Sequence, residues 1–155
     1  GRPPQAAADE LLRVVRPGGT SGLISWTPQG LVGQLCATMK PYAPPPPPGA
    51  SPAPLWGDED HVRELFGDRV TALTTRRQTV HIDRCPTPNV FREYWKRNYG
   101  PTIATYRFNE SQPGRVAELD RDFLTFLTDW NQATGPDQTA YDAEYLLVTA
   151  TKREQ

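Results

Sequence analysis

Two cysteines and two histidines, Cys36, His61, His81 and Cys85, are the side chains with the chemistry to bind a metal ion or to attack a substrate. A zinc site draws at least three protein ligands together. His81 and Cys85 stand four residues apart, a spacing that shares a face only on a helix, and the chain around them reads as strand. The sequence therefore predicts no metal site. It also predicts no Ser-His-Asp or Cys-His nucleophile, because none of these residues has the strand–turn–helix setting such a nucleophile uses.

Aromatic and hydroxyl groups offer a different chemistry, the lining of a pocket. Trp26 and Thr27, followed by Pro28, stand where a short apolar run ends. The carboxyl ends of strands are where open α/β sheets place their ligands. Tyr94, Trp95 and Tyr99 fall at helical spacing and could meet an apolar or aromatic acceptor. These five residues form the expected substrate pocket. No residue is expected as a catalytic base. Pro44 to Pro48, with Pro52 and Pro54, match P-x-x-P and would suit an aromatic-lined groove on a partner. Their simpler reading is a stiff extended crossing. Arg76-Arg77 is a solvated pair, not a nucleic-acid patch.

The elements that would position these groups follow from periodicity and stop signals. Residues 5–15 read as a helix, with Leu11, Leu12 and Val15 on one stripe, stopped by Pro17-Gly18-Gly19. Residues 20–26 read as a buried strand and residues 29–40 as a helix. Residues 41–55 form a proline-rich loop. Asp58 reads as an N-cap ahead of Val62, Leu65 and Phe66, with Gly67 ending that helix. Residues 70–83 are strand-like, either one strand or a hairpin turning at Arg76-Arg77-Gln78. Thr87-Pro88 opens an aromatic helix, Gly100-Pro101 breaks it, and a second short helix follows. From Pro113, residues Val116, Leu119, Phe123, Phe126, Leu127 and Trp130 keep a 3.6-residue period, with the stop expected at Gly135-Pro136. Residues 143–151 form a last strand. This order argues for α/β layers.

Size and charge bound the rest. The chain has 155 residues, room for one modest domain. A net charge of −1 argues against nucleic acid and against a polybasic membrane patch. Two distant thiols form no disulfide framework, so a reducing, cytoplasmic setting is expected. No run is long and apolar enough to cross a bilayer. The first residue is Gly1 and the single methionine is Met39, so a processed chain or a fragment is expected.

The run from Leu11 through Arg16 to Pro17-Gly18-Gly19, feeding the strand Leu23-Ile24-Ser25-Trp26, resembles the "L-x-x-L-R-P-G-G" segment of class I S-adenosylmethionine-dependent methyltransferases. Trp56-Gly57-Asp58 through Gly67, and the strand from Val70, resemble that family's late helix and sixth strand. Residues 144–150 resemble its seventh. The resemblance implies the C-terminal half of a Rossmann-like methyltransferase sheet: fifth, sixth and seventh strands, the last antiparallel and inserted between the other two. Residues 1–155 would be a single partial domain, with 85–135 a helical insert on the lid and substrate side. It further implies a parent enzyme that moves a methyl group from S-adenosylmethionine to a small-molecule acceptor. No Gly-x-Gly-x-Gly run and no earlier strand are present, and such a loop is what lets backbone approach a ligand closely. No cofactor-binding residue is thus carried over, and these residues alone are expected to be inactive. The competing readings are a non-catalytic module presenting the proline segment, and a remnant of a nicotinamide-dependent Rossmann-like enzyme.

Overall fold

In the computed structural model, residues 4–46, 48 and 53–154 are described. Pro47, Gly49 and Pro52 of the proline-rich stretch lie outside them. Among the described residues, six α-helices and three strands form a mixed α/β fold: α1 (Pro4–Val14), β1 (Thr20–Trp26), α2 (Leu31–Met39), α3 (Glu59–Phe66), β2 (Val70–Ile82), α4 (Pro88–Asn98), α5 (Gly100–Asn109), α6 (Pro113–Trp130) and β3 (Tyr141–Lys152). Short 3₁₀ turns at Lys40–Tyr42 and Ala53–Gly57 take up both ends of the expected 41–55 loop.

The strands form one sheet in the order β1-β3-β2. β1 pairs antiparallel with β3, from Thr20 opposite Thr151 to Trp26 opposite Tyr145. β2 also runs antiparallel to β3: Thr74 Oγ1 meets Thr149 Oγ1 at 2.5 Å, and Tyr145 donates to Gln78 Oε1 at 2.6 Å. β2 is one strand rather than a hairpin. Arg76, Arg77 and Gln78 stay in the ladder because Arg77 and Gln78 both find partners on β3.

The residues divide into two compact units, one drawn from Gly1–Val32, Pro46–Val80 and Glu144–Gln155, the other from Gly33–Pro45 and His81–Ala143. In the first, α1 and α3 supply Ala8, Leu12, Val62, Leu65 and Phe66 to a core shared with Leu146 and Val148 of β3. Burying a side chain the size of Leu or Phe contributes roughly 1.5–3 kcal/mol, so these seven residues anchor the unit. Gly18, at φ 71°, makes the turn after α1, and its N–H donates to Lys152 O at 3.0 Å. Asp58 caps α3 by accepting from His61 N at 2.9 Å, and Gly67 ends it at φ 55°.

The second unit is built on α4, α5 and α6. Thr87 Oγ1 caps α4, and Phe91 and Trp95 point inward with Leu119, Phe123 and Leu127 of α6. Phe91 stacks on Tyr141 at 4.7 Å between centroids, and Tyr141 donates to Leu127 O at 2.9 Å. α6 stops at Trp130, short of Gly135-Pro136. The reason is Asn131, whose amide oxygen accepts from Ala133 N and Ala140 N and so turns the chain early.

Candidate functional site

In the first unit the end of β1 forms a tightly built corner. Thr27 is fully buried. Its hydroxyl donates to Glu144 Oε1 at 2.8 Å and accepts from Gly30 N at 3.1 Å. Glu144 lies beside Arg77 at 3.8 Å. Trp26 is half-buried and meets Tyr145 edge-on, centroids 6.3 Å apart and rings at 85°. Two glycines make this packing possible. A Cβ on Gly57 would lie 1.9 Å from Trp26 O, and one on Gly30 would lie 2.7 Å from Thr27 Oγ1. The corner thus presents an aromatic edge, a carboxylate and a guanidinium on a rigid backbone. Thr27 itself is closed to solvent, while Arg77 and Glu144 stay partly exposed at its rim.

Thr27→Val keeps the shape of the side chain but removes both hydrogen bonds of the hydroxyl. The expected cost is about 1–3 kcal/mol, read as a lower midpoint in urea, with Ser in place of Thr27 retaining most of the stability. An unchanged midpoint for Thr27→Val would remove the corner's hydrogen-bonded core.

The other expected pocket residues belong to the second unit. Trp95 is buried, with its Nε1 lacking a partner. Tyr99 packs edge-on against it, centroids 4.4 Å apart. Burial, with Cys36 beside it, pushes the Tyr99 phenol up to about 12, so it is a neutral donor at any ordinary pH. Tyr94, by contrast, is 58% exposed. The structure therefore joins Trp95 to Tyr99 on the inner face of α4 and leaves Tyr94 on the outer one.

Of the residues first weighed for metal or nucleophile chemistry, Cys36 is half-buried and hydrogen-bonded to Tyr99, and burial raises its thiol. Cys85 is half-buried, and burial raises it too. His61 sits in the first turn of α3. His81 pairs with Asp142 at 2.8 Å, a partner 61 residues away that sequence spacing could not reveal. Asp142 lies on β3, which begins at Tyr141, two residues ahead of where periodicity placed its start.

No helix among the described residues is long and apolar enough to cross a membrane. No family model matches the chain. The chain is 43% identical over 149 residues to an uncharacterized protein of Mycobacterium tuberculosis, covering 96% of this chain and 53% of that one, and equally to one of Mycobacterium bovis. A second Mycobacterium tuberculosis protein, also uncharacterized, is 40% identical over 148 residues, covering 96% of this chain and 52% of its own length. The chain thus spans about half the length of the curated relatives it matches.

Proposed function

We propose that these residues are the acceptor-side half of an S-adenosylmethionine-dependent methyltransferase acting on a small molecule in the cytoplasm. The observation that carries this reading is the strand order β1-β3-β2, with the last strand antiparallel to both neighbours and three helices preceding it. That is the arrangement the resemblance to class I methyltransferases implies for the fifth, seventh and sixth strands. A second support is the outer edge of β1. Among the described residues β1 pairs only with β3, and its Ile24 is 69% exposed. An unpaired apolar strand edge is a template for another strand, and a further half of the sheet would supply one.

S-adenosylmethionine would bring the electrophilic methyl group, but the present residues do not fit it. They contain no glycine-rich loop behind a strand, so they offer no backbone cradle for it. What this chain contributes is placement. Holding an acceptor in line with the methyl group is a proximity effect, and the corner at Trp26 and Thr27 has the rigidity to provide it.

Calorimetric titration tests the reading. The chain extended by the sequence encoded upstream of Gly1 is expected to bind S-adenosylmethionine at about 1–100 μM, and residues 1–155 alone to show no heat of binding. Failure of the extended protein to bind would overturn the methyltransferase assignment. Micromolar binding by residues 1–155 alone would overturn the placement of the cofactor site outside them.

A further inference from the structure

The second unit contains a cavity of about 660 Å³ between the chain leaving β2 and the segment leading into β3. That volume is within the range of small-molecule sites, roughly 300–1,000 Å³. Its lining includes His81, Asp83, Arg84, Gln132, Thr134 and Gln138, and His81 is its sole ring of aromatic character.

The wall is built rather than draped. Asn131 holds the 132–140 segment with three hydrogen bonds, accepting from Ala133 N at 3.1 Å and Ala140 N at 2.9 Å and donating to Gln138 O at 3.1 Å. Gln132 N donates to Ala140 O at 2.8 Å. Thr139 Oγ1 ties the opposite wall by donating to Cys85 O at 2.5 Å. Asp137, which also lines the cavity, sits at φ 54°, the one non-glycine residue with positive φ among those described. Aspartate enters this region at turns more readily than most residues, and here it shapes the cavity wall.

One lining group has a defined hydrogen-bonding state when its ring is neutral. His81 Nδ1 bonds Asp142 Oδ1 at 2.8 Å, and Asp142 also bonds the Gln132 side chain. A carboxylate can only accept, so Nδ1 carries the hydrogen and Nε2 of the neutral ring is left as an acceptor. The remaining lining groups are mixed. The lining carries one positive charge, Arg84, and two negative ones, Asp83 and Asp137, and the amides and hydroxyls of Gln132, Gln138 and Thr134 offer both donors and acceptors. A strongly charged ligand would meet a like charge, and an aromatic one would find only the His81 ring to stack on. We propose that this cavity is a binding site for a neutral, hydroxyl-rich small molecule, one hydroxyl of which donates to Nε2 of His81.

The site does not depend on the methyl-transfer reading. The facing groups set the test. Hydrogen bonding by Asp142 raises the His81 pKa, its charge and that of Asp83 add to this, and desolvation opposes it. A ligand hydroxyl donating to Nε2 stabilises the neutral ring, so it must lower that pKa. Nitrogen-15 and imidazole proton NMR on the chain, with myo-inositol and D-glucose as neutral probes and glucose 6-phosphate as the charged one, reads both effects. Saturable shifts at residues 81–86 and 131–140 with a neutral probe are expected, together with a downward move of the His81 titration. Binding should weaken about tenfold or more in His81→Ala and Ala133→Phe, both checked for a native-like spectrum. Absence of saturation with either neutral probe at concentrations of about 50 mM, well above millimolar affinity, would overturn the proposal. Tighter binding of glucose 6-phosphate, or an unmoved His81 titration, would overturn it equally.

Discussion

Replacing Gly57 by alanine is expected to lower stability by about 3 kcal/mol or more, at the top of the range for overpacking. The added methyl would lie 1.9 Å from Trp26 O, 2.5 Å from Trp26 C and 2.8 Å from Thr27 Cα. All three are backbone atoms, so no rotamer change relieves the clash. Either β1 or the Ala53–Gly57 turn must move. The same displacement would pull Thr27 away from Glu144 and Gly30, whose bonds to its hydroxyl define the corner. For a chain of this size the loss corresponds to a melting point lower by roughly 6–12 °C. Gly114→Ala is the control. It lies near the start of α6 with open space around it, and alanine there should raise stability by up to about 1 kcal/mol through helix propensity. Equal melting points for Gly57→Ala and the parent chain would mean that the turn does not press on β1 as described.

Gly57 also shows what sequence could and could not disclose. The stop signals were local and therefore readable. Pro17-Gly18-Gly19, the Asp58 cap, Gly67 and Thr87-Pro88 each act within one turn of chain, and each bounds an element as expected. The apolar period of α6 was readable for the same reason, and Leu119, Phe123, Phe126 and Leu127 are buried. The close approach of Gly57 to Trp26 was not readable, because it joins residues 31 positions apart through tertiary packing. The end of α6 misled because Asn131 turns the chain with its side chain before Gly135-Pro136 can. Helical spacing placed Tyr94 and Trp95 on one aromatic face, but periodicity gives a direction and not a width. Trp95 is inside that face and Tyr94 outside it. The partners of Thr27 and His81 stand 117 and 61 residues away. Both partners, Glu144 and Asp142, lie on β3, so the chemistry at the candidate sites is assembled by strand register.

Asp120→Asn tests the charged cluster that fastens the aromatic helix. Asp120 on α6 accepts from Lys96 Nζ at 3.0 Å and from the Tyr106 hydroxyl at 2.6 Å, and Arg92 Nε lies 3.8 Å away. One carboxylate therefore links α4, α5 and α6. Lys96 also lies over the Tyr106 ring at 4.5 Å. The Arg92 side chain is only 14% exposed and also pairs with Glu93 at 3.1 Å, so removing the Asp120 charge takes away one of its two counter-charges. Fully buried pairs cost about 3–5 kcal/mol to break from one side. The Asp120 side chain keeps 30% of its exposure, and solvent screening reduces the expected cost to about 1–2 kcal/mol. The pH dependence fixes the sign. Desolvation pushes the Asp120 carboxyl up, but the bonds from Tyr106 and Lys96 and the two positive charges outweigh it and hold the carboxyl below its usual range. A group depressed in the folded state contributes stability above its unfolded pKa, about 3.9 for Asp, and loses it as pH falls through the folded value. The stability gap between the parent chain and Asp120→Asn should therefore be full at neutral pH and close below about pH 4. Urea titrations across that interval read it directly. A gap that stays constant to low pH would show that asparagine disturbs packing rather than charge.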